Sequence, residues 1–555
     1  MIDPIRDLDI IHPEALAPEL DRSLVELEQD DIVRRVWNRD RAVWKADDKE
    51  ISNRLGWLDA PVTARGDIAD MEAFAAVVRA EGLTRAVVLG MGGSSLAPDV
   101  FARFFPTISG GLELEILDTT EPGAVAGAAA RFELRRTLFL VSSKSGSTAE
   151  LAALLSFFYD RVRRELGEDH AGDHFVAITD PASPLEDLAG SLRFRRVFHG
   201  RPDIGGRFSA LSAFGLLPAA LKGLDLGRLL AQAGIMAGFC RDPSPSANPG
   251  ARLGAALGAG ALKGRDKLTL LVAAAFEPLA GWLEQLIAES TGKEGRGIVP
   301  VVEAEPGGAG CYGQDRMFVD LLSRPGASPA PVIRDLVAAG APVIRPFLDD
   351  PYSLGAYFFL WEFATAIAGH IMGIDPFDQP DVESTKAKTR QILAAGGTGG
   401  PFAADFSSFA GGPDTAVSRF LDNRRDGDYI ALLAFLPKVP KTEEALAGLA
   451  ARLRDRTGLP VSVAFGPRYL HSTGQLHKGD ANRGLFLMLV PSGLPELSIP
   501  AVAGITRPAP DFARLFLAQA RGDAMALAEK GRRVLTVEVG SPVETGITAL
   551  ASLLG

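Results

Sequence analysis

The stretch VSSKSGSTAEL, residues 141–151, sets Ser143, Ser145, Ser147 and Thr148 where the apolar run TLFLV gives way to a helix-forming segment. Hydroxyls beside the free N–H groups of a helix N-terminus can bind a phosphate without net positive charge. A helix cap needs only one hydroxyl. Four in six positions, with Lys144 among them, exceed that need. A second stretch, LGMGGSSLAPDVF, runs an apolar strand into Gly90, Gly92 and Gly93, then Ser94 and Ser95, then a helix. Glycines there let backbone approach a ligand closely. The plainer reading is a tight strand–helix turn. A dinucleotide fingerprint is a rival, but Ser95 stands where its third glycine belongs. Asp118, the candidate ribose acid, lies 118 − 90 = 28 residues on instead of the usual ~20.

Four further segments carry candidate side chains. In DIGGRFSALSAFGLL, Arg207 follows the pair Gly205–Gly206 and can reach a site that a bulkier chain would block; alone, it reads equally as a surface arginine. In WLEQLIAESTGKEG, Gln285 and Glu289 are four apart and share a helical face, and Gly292 stops the helix. A carboxylate at a helix C-terminus opposes the dipole, which tends to raise its pKa and suits a base that must return its proton. DPFDQPDVESTKAKTR leads from a proline-bounded turn into a helix bearing Lys386 and Lys388. RYLHSTGQLHKGDANRG offers His471, Gln475, His477 and Lys478, and a histidine in such a loop is a candidate general acid or base.

The elements that must position these groups follow from periodicity. Residues 13–58 read as helical, so 1–65 is expected to be an N-terminal helical segment. Over 66–225, short apolar strands alternate with helices, which implies a parallel sheet covered on both faces. The alternation repeats over 226–392. A Gly/Ser/Pro-rich stretch, 393–425, reads as a linker. Beyond it, 426–541 spells β-α-β-β-α-β, the order of a small α+β split-βαβ domain. The fold class is therefore α/β: two doubly wound parallel-sheet domains plus a small α+β domain.

Composition narrows the function classes. A chain of 555 residues needs more than one core. The net charge of -11 leaves no basic footprint for nucleic acid, so an anionic ligand must be held by local dipoles and a few cations. Two distant cysteines, Cys240 and Cys311, make no disulfide framework or zinc motif and fit a reducing compartment. The acidic, proline-broken N-terminus does not read as a signal peptide, and no run free of charge and proline has membrane-span length. The expectation is a cytoplasmic protein without a membrane partner or a metal site.

Taken together, the segments resemble the glucose-6-phosphate isomerase (phosphoglucose isomerase) family, built from two sugar-isomerase (SIS) domains. GMGGSSLAP, SKSGSTAE, GGRFS, ESTGK and FDQPDVESTK match its signatures in order. HSTGQLHKG and the extra domain are most like the isomerase half of bifunctional transaldolase/phosphoglucose isomerase proteins, although no transaldolase barrel is present. The resemblance implies a sugar-phosphate substrate, no cofactor and a homodimer. It assigns phosphate binding to Ser143, Lys144, Ser145, Ser147 and Thr148, and lining of the site to Gly93 and Ser94. Arg207 would stabilise an enediolate, Glu289 would move the proton between C2 and C1, and Gln285 would position the substrate. Lys386 would contact the sugar during ring opening. The family places its ring-opening histidine between the glutamate and lysine motifs, where GCYGQDRMF has none. Either His471 takes that role from elsewhere in the chain or from a neighbouring subunit, or the role has changed. One alternative is an isomerase of another phosphosugar such as mannose 6-phosphate, which the phosphate handle and base would serve equally; Thr291, where the family commonly has asparagine, would shift selectivity. A non-catalytic sugar-phosphate sensor is the other alternative, disfavoured by the joint presence of Glu289, Arg207 and Lys386.

Overall fold

The computed structural model describes residues 9–11, 16–106, 108–322, 329–345, 350–395 and 412–554. The chain opens on a short strand, β1 (Asp9–Ile11), followed by helices Ala17–Gln29 and Ile32–Trp37 and a series of 3-10 turns. Strands β2 (Arg85–Gly90), β3 (Glu113–Leu117), β4 (Thr137–Ser142), β5 (Phe175–Thr179) and β6 (Arg196–His199) then form a sheet in the order β3-β2-β4-β5-β6. All its pairings are parallel. Side chains alternate across a strand, and here both faces find a core. Ala86 and Val88 join the main cluster, whereas Val87 and Leu89 join the cluster on the other side. That double burial is why these strands read as unbroken apolar runs.

A second sheet contains β7 (Lys267–Val272), β8 (Val299–Glu303), β9 (Arg316–Leu321) and β10 (Val343–Arg345) in the order β1-β10-β9-β7-β8. β1 pairs antiparallel with β10, so the N-terminal segment is not wholly helical. The helix Leu354–Met372 is apolar and long enough to cross a membrane by composition. Its side chains are instead buried, packed on helices Leu226–Phe239 and Pro249–Leu262, which makes it a core helix.

The third sheet departs from the expected split βαβ. Strands β11 (Tyr429–Ala434), β12 (Val461–Phe465), β13 (Gly484–Pro491) and β14 (Arg533–Val539) lie in the order β12-β11-β13-β14, with every pairing parallel. The reason lies in residues 466–483, which form a crossover rather than a loop. A 3-10 turn, Arg468–His471, and a short helix, Gly474–Gly479, carry the chain back so that β13 starts at the same edge as β11. Of the segment read as a linker, 396–411 lies outside the described residues, and Gly412–Asp422 is a helix. Ile499, Ile505 and Phe512 join the outer core of the first sheet, so the third unit is anchored to the first.

Candidate active site

In the first sheet β2 lies between β3 and β4, so successive crossovers leave in opposite directions there. Ligands of doubly wound sheets bind outside the strand C-termini at such a point. Gly90 at the end of β2 is in register with Ser142 at the end of β4. The glycine–serine turn and the hydroxyl loop therefore emerge side by side.

In the hydroxyl loop, Ser143 Oγ lies 3.3 Å from Thr148 Oγ1 and accepts the Gly146 N–H at 3.1 Å. Ser145 and Ser147, both exposed, pair their hydroxyls at 3.1 Å. Thr148 precedes helix Ala149–Leu166 but makes no side-chain cap. The capping explanation of its hydroxyl therefore fails, and the helix N-terminus keeps its anion-binding N–H groups. Lys144 turns away from the cluster. Its Nζ bonds Asp180 and the carbonyls of Arg201 (3.1 Å) and Pro202 (3.3 Å). Burial holds its ammonium below the usual lysine pKa, although Asp180 opposes the shift.

The glycine–serine turn packs against the arginine turn. A Cβ on Gly93 would lie 2.1 Å from the Gly206 carbonyl oxygen, so only glycine fits. Ser94 beside it is buried. Arg207 is buried and fully engaged. Its Nε donates to Ser290 Oγ (2.7 Å), and Nη2 to the carbonyls of Pro376 (2.5 Å) and Asp378 (3.0 Å). Nη1 donates to Gln379 Oε1 (3.0 Å) and to Glu289 Oε1 (3.2 Å). Lys293 holds the same turn, donating to Asp378 Oδ1 at 2.7 Å. Burial, then the nearby Arg207 charge, push Lys293 down to about 8.

Glu289 sits near the end of helix Glu277–Thr291, and Gln285 is one turn earlier on the same face. Gln285 Nε2 donates to Glu289 Oε2 at 3.0 Å and to the His471 carbonyl at 2.9 Å. The charge at this helix end is thus met by Arg207 rather than left against the dipole. His471 reaches the cluster from within the same chain. Its Nε2 lies 2.9 Å from Glu150 Oε1 in the first turn after the hydroxyl loop. Gln519 donates to the same oxygen at 2.6 Å, and Thr120 Oγ1 donates to Gln519 Oε1 at 2.7 Å. Burial alone would raise the Glu150 pKa, but the His471 charge and hydrogen bond outweigh it and hold the carboxyl below its usual value.

Several expected residues are bonded otherwise. Lys386 is half-exposed and donates to Glu383 Oε1 at 2.8 Å rather than to Glu289, although its charge acts on Glu150. Thr291 does not face the site. Its hydroxyl donates to the Ile287 carbonyl (2.7 Å) and accepts the Ile298 N–H (2.9 Å), which removes the argument that it tunes selectivity. Asp118 faces Arg468 Nε at 3.3 Å and Ser95 Oγ at 3.2 Å, so it is not left free for a ribose. His477 is buried beside Tyr469 and Phe486, and burial pushes it down to about 3, a neutral core residue. Gln475 ties the Gly292 carbonyl (3.0 Å) to Asp381 Oδ2 (2.9 Å), and Lys478 pairs with buried Asp523 at 2.6 Å.

The phosphoglucose isomerase family profile matches residues 71–310. A glucose-6-phosphate isomerase of Rubrobacter xylanophilus is 31% identical over 383 residues, 60% of this chain and 88% of that protein. That of Thermus thermophilus is 29% identical over 397 residues, 62% of this chain and 91% of that one. The crystal structure of a hypothetical protein from Thermus thermophilus matches with a TM-score of 0.59 at 26% identity, covering 70% of this chain and 100% of that one. A glucose-6-phosphate isomerase from Chlamydia trachomatis shares the fold, with a TM-score of 0.56 at 19% identity over 73% of this chain and 89% of that one.

Proposed function

The chain belongs to the glucose-6-phosphate isomerase family, and from that premise we propose that it interconverts glucose 6-phosphate and fructose 6-phosphate through a cis-enediolate, with Glu289 as the base. The observation that carries the reading is the convergence on Glu289. One carboxylate oxygen faces Arg207, the other accepts from Gln285, and Gln285 also holds the His471 backbone. A base, a fixed cation and the backbone of the histidine turn come together from three distant stretches, and the imidazole of that turn pairs with Glu150.

The C2 proton of an aldose is weakly acidic, so catalysis needs both a base and stabilisation of the anion. Glu289 takes the C2 proton. The C–H electron pair becomes the C1–C2 double bond, and the carbonyl pair moves onto O1. Arg207, locked by four other acceptors, faces the oxygens where that charge develops. Transfer of the O2 proton to O1, with return of the Glu289 proton to C1, gives the ketose. His471, oriented by Glu150, moves the proton between O1 and the ring oxygen in ring opening. Ser143, Ser145, Ser147, Thr148 and the helix N-terminus grip the remote phosphate, which anchors C1 and C2 at Glu289. Lys386 joins the sugar only after leaving Glu383. No cofactor enters these steps. The reading also takes the enzyme as a cytoplasmic homodimer, and gel filtration at the mass of one chain would contradict the dimer.

Turnover of fructose 6-phosphate, coupled to glucose-6-phosphate dehydrogenase, tests the reaction in wild type and Glu289→Gln. Wild-type activity that falls by roughly 10²–10⁴-fold in the variant supports it. An inactive wild type rejects the substrate, and an active variant rejects the base.

A further inference from the structure

The imidazole assigned to ring opening arrives from the third unit, whereas the phosphate loop belongs to the first. Its turn must therefore be held across a boundary between units. Arg468 lies three residues before His471 on the same 3-10 turn. Its Nη2 donates to Asp99 Oδ2 at 2.9 Å, and its Nε lies 3.3 Å from Asp118 Oδ2. Asp99 is on helix Leu96–Phe104, which follows the glycine–serine turn, and Asp118 follows β3. Both carboxylates are buried. Glu284, on the helix that carries Glu289, also lies near the guanidinium, but burial pushes its carboxyl up to about 8, so the two aspartates carry the pairing.

The other end of the turn is gripped by the same structure. Ser95 Oγ lies within 3.2 Å of Asp118 Oδ2 and 3.1 Å of the Gly92 carbonyl. A Cβ on Gly92, whose φ is +54°, would lie 2.7 Å from the His471 carbonyl oxygen. That carbonyl is the one Gln285 holds. A planar fork with separate donors can bridge two carboxylates in a fixed direction, which a lysine ammonium cannot reproduce.

We propose that Arg468 is a positioning residue for the isomerisation: by bridging Asp99 and Asp118 it fixes the 468–471 turn so that the His471 imidazole meets Glu150 and the sugar ring oxygen. This rests on the reading of His471 as the ring-opening group. Arg468 does not touch the substrate and acts through His471. A brace that served only stability would leave kcat unchanged or lower it independently of His471.

The test is a double-mutant cycle on the full-length chain, with kcat and KM for fructose 6-phosphate and the melting temperature measured for wild type, Arg468→Met, His471→Ala and the double variant. Arg468→Met is expected to lower kcat roughly 10²-fold with little change in KM, and Arg468→Lys to restore part of the loss. In the His471→Ala background, Arg468→Met should cost less than about twofold more. Wild-type kcat in Arg468→Met, or a full multiplicative loss in the double variant, overturns the proposal. If Arg468→Met does not fold, Asp118→Asn removes one arm at constant shape and must show the same dependence on His471. An inactive wild type, or an active Glu289→Gln, refutes the reaction reading instead, so the two failures are distinguishable.

Discussion

Replacing Glu150 with glutamine removes a charge while keeping the shape of a buried side chain. Glu150 Oε1 is shared by His471 Nε2 at 2.9 Å and Gln519 Nε2 at 2.6 Å. Thr120 fixes which way the Gln519 amide points, since its hydroxyl donates to Gln519 Oε1. A glutamine oxygen can still accept from both neighbours, so what disappears is the charge assistance. Hydrogen bonds to charged groups contribute about 1.5–3 kcal/mol against about 0.5–1.5 for neutral ones. The difference, ~1–1.5 kcal/mol, corresponds to a loss of roughly 5–12-fold in kcat if His471 carries positive charge in the rate-limiting step. Glu150→Ala also leaves the Gln519 amide and the imidazole without their acceptor, each at about 1–3 kcal/mol, so it should lose ~10²-fold or more and melt lower. The coupled fructose 6-phosphate assay reads the first effect and thermal melts the second. The pH dependence has a definite sign. The folded Glu150 carboxyl lies below its reference value of 4.5, so its pairing stabilises the fold above that value and is lost as pH falls through the lowered one. The stability gap between wild type and Glu150→Gln should therefore narrow as pH falls below the reference value of 4.5. Wild-type kcat in Glu150→Gln, or a gap that widens in acid, would refute the reasoning.

Two further outcomes follow from the same geometry. Ser143→Ala combined with Thr148→Val should lower kcat/KM for fructose 6-phosphate by roughly 10–10²-fold and weaken inhibition by inorganic phosphate, because the hydroxyls grip the handle that anchors the reacting carbons; unchanged inhibition by inorganic phosphate would place the phosphate elsewhere. Thr291→Val leaves the buried Ile298 N–H without its acceptor and should cost about 1–3 kcal/mol in urea melts, while the ratio of kcat/KM for fructose 6-phosphate and mannose 6-phosphate stays as in wild type; a changed ratio would put Thr291 in the sugar site.

What was legible in the sequence was what local rules encode. A strand, a turn and a helix place their chemistry at the strand C-terminus, so Gly90 and Ser142 had to sit at one edge if their strands were neighbours. Gln285 and Glu289 had to share a face at a spacing of four. Contacts between distant stretches left no such mark. Glu150 is 321 residues from His471, and a carboxylate in the first turn of a helix reads as an ordinary complement to the dipole. Lys144 looked like a cation for the phosphate, but Asp180, across the neighbouring strand, takes it. The third sheet departs from the expected order for a related reason: the crossover between β12 and β13 is built from a 3-10 turn and one short helix, too brief to show a helical period. Within that crossover, the residues of RYLHSTGQLHKG have different tasks. Tyr469 donates to Asp523, Gln475 joins Gly292 to Asp381, Lys478 pairs with Asp523, and His477 is neutral in the core. Each braces the third unit against itself or against the glutamate and lysine helices. Only His471 presents a titratable ring to Glu150 and the phosphate loop. A motif with several polar residues thus supplies one reactive group, because delivering that group from a separate unit requires the others to be bonded elsewhere.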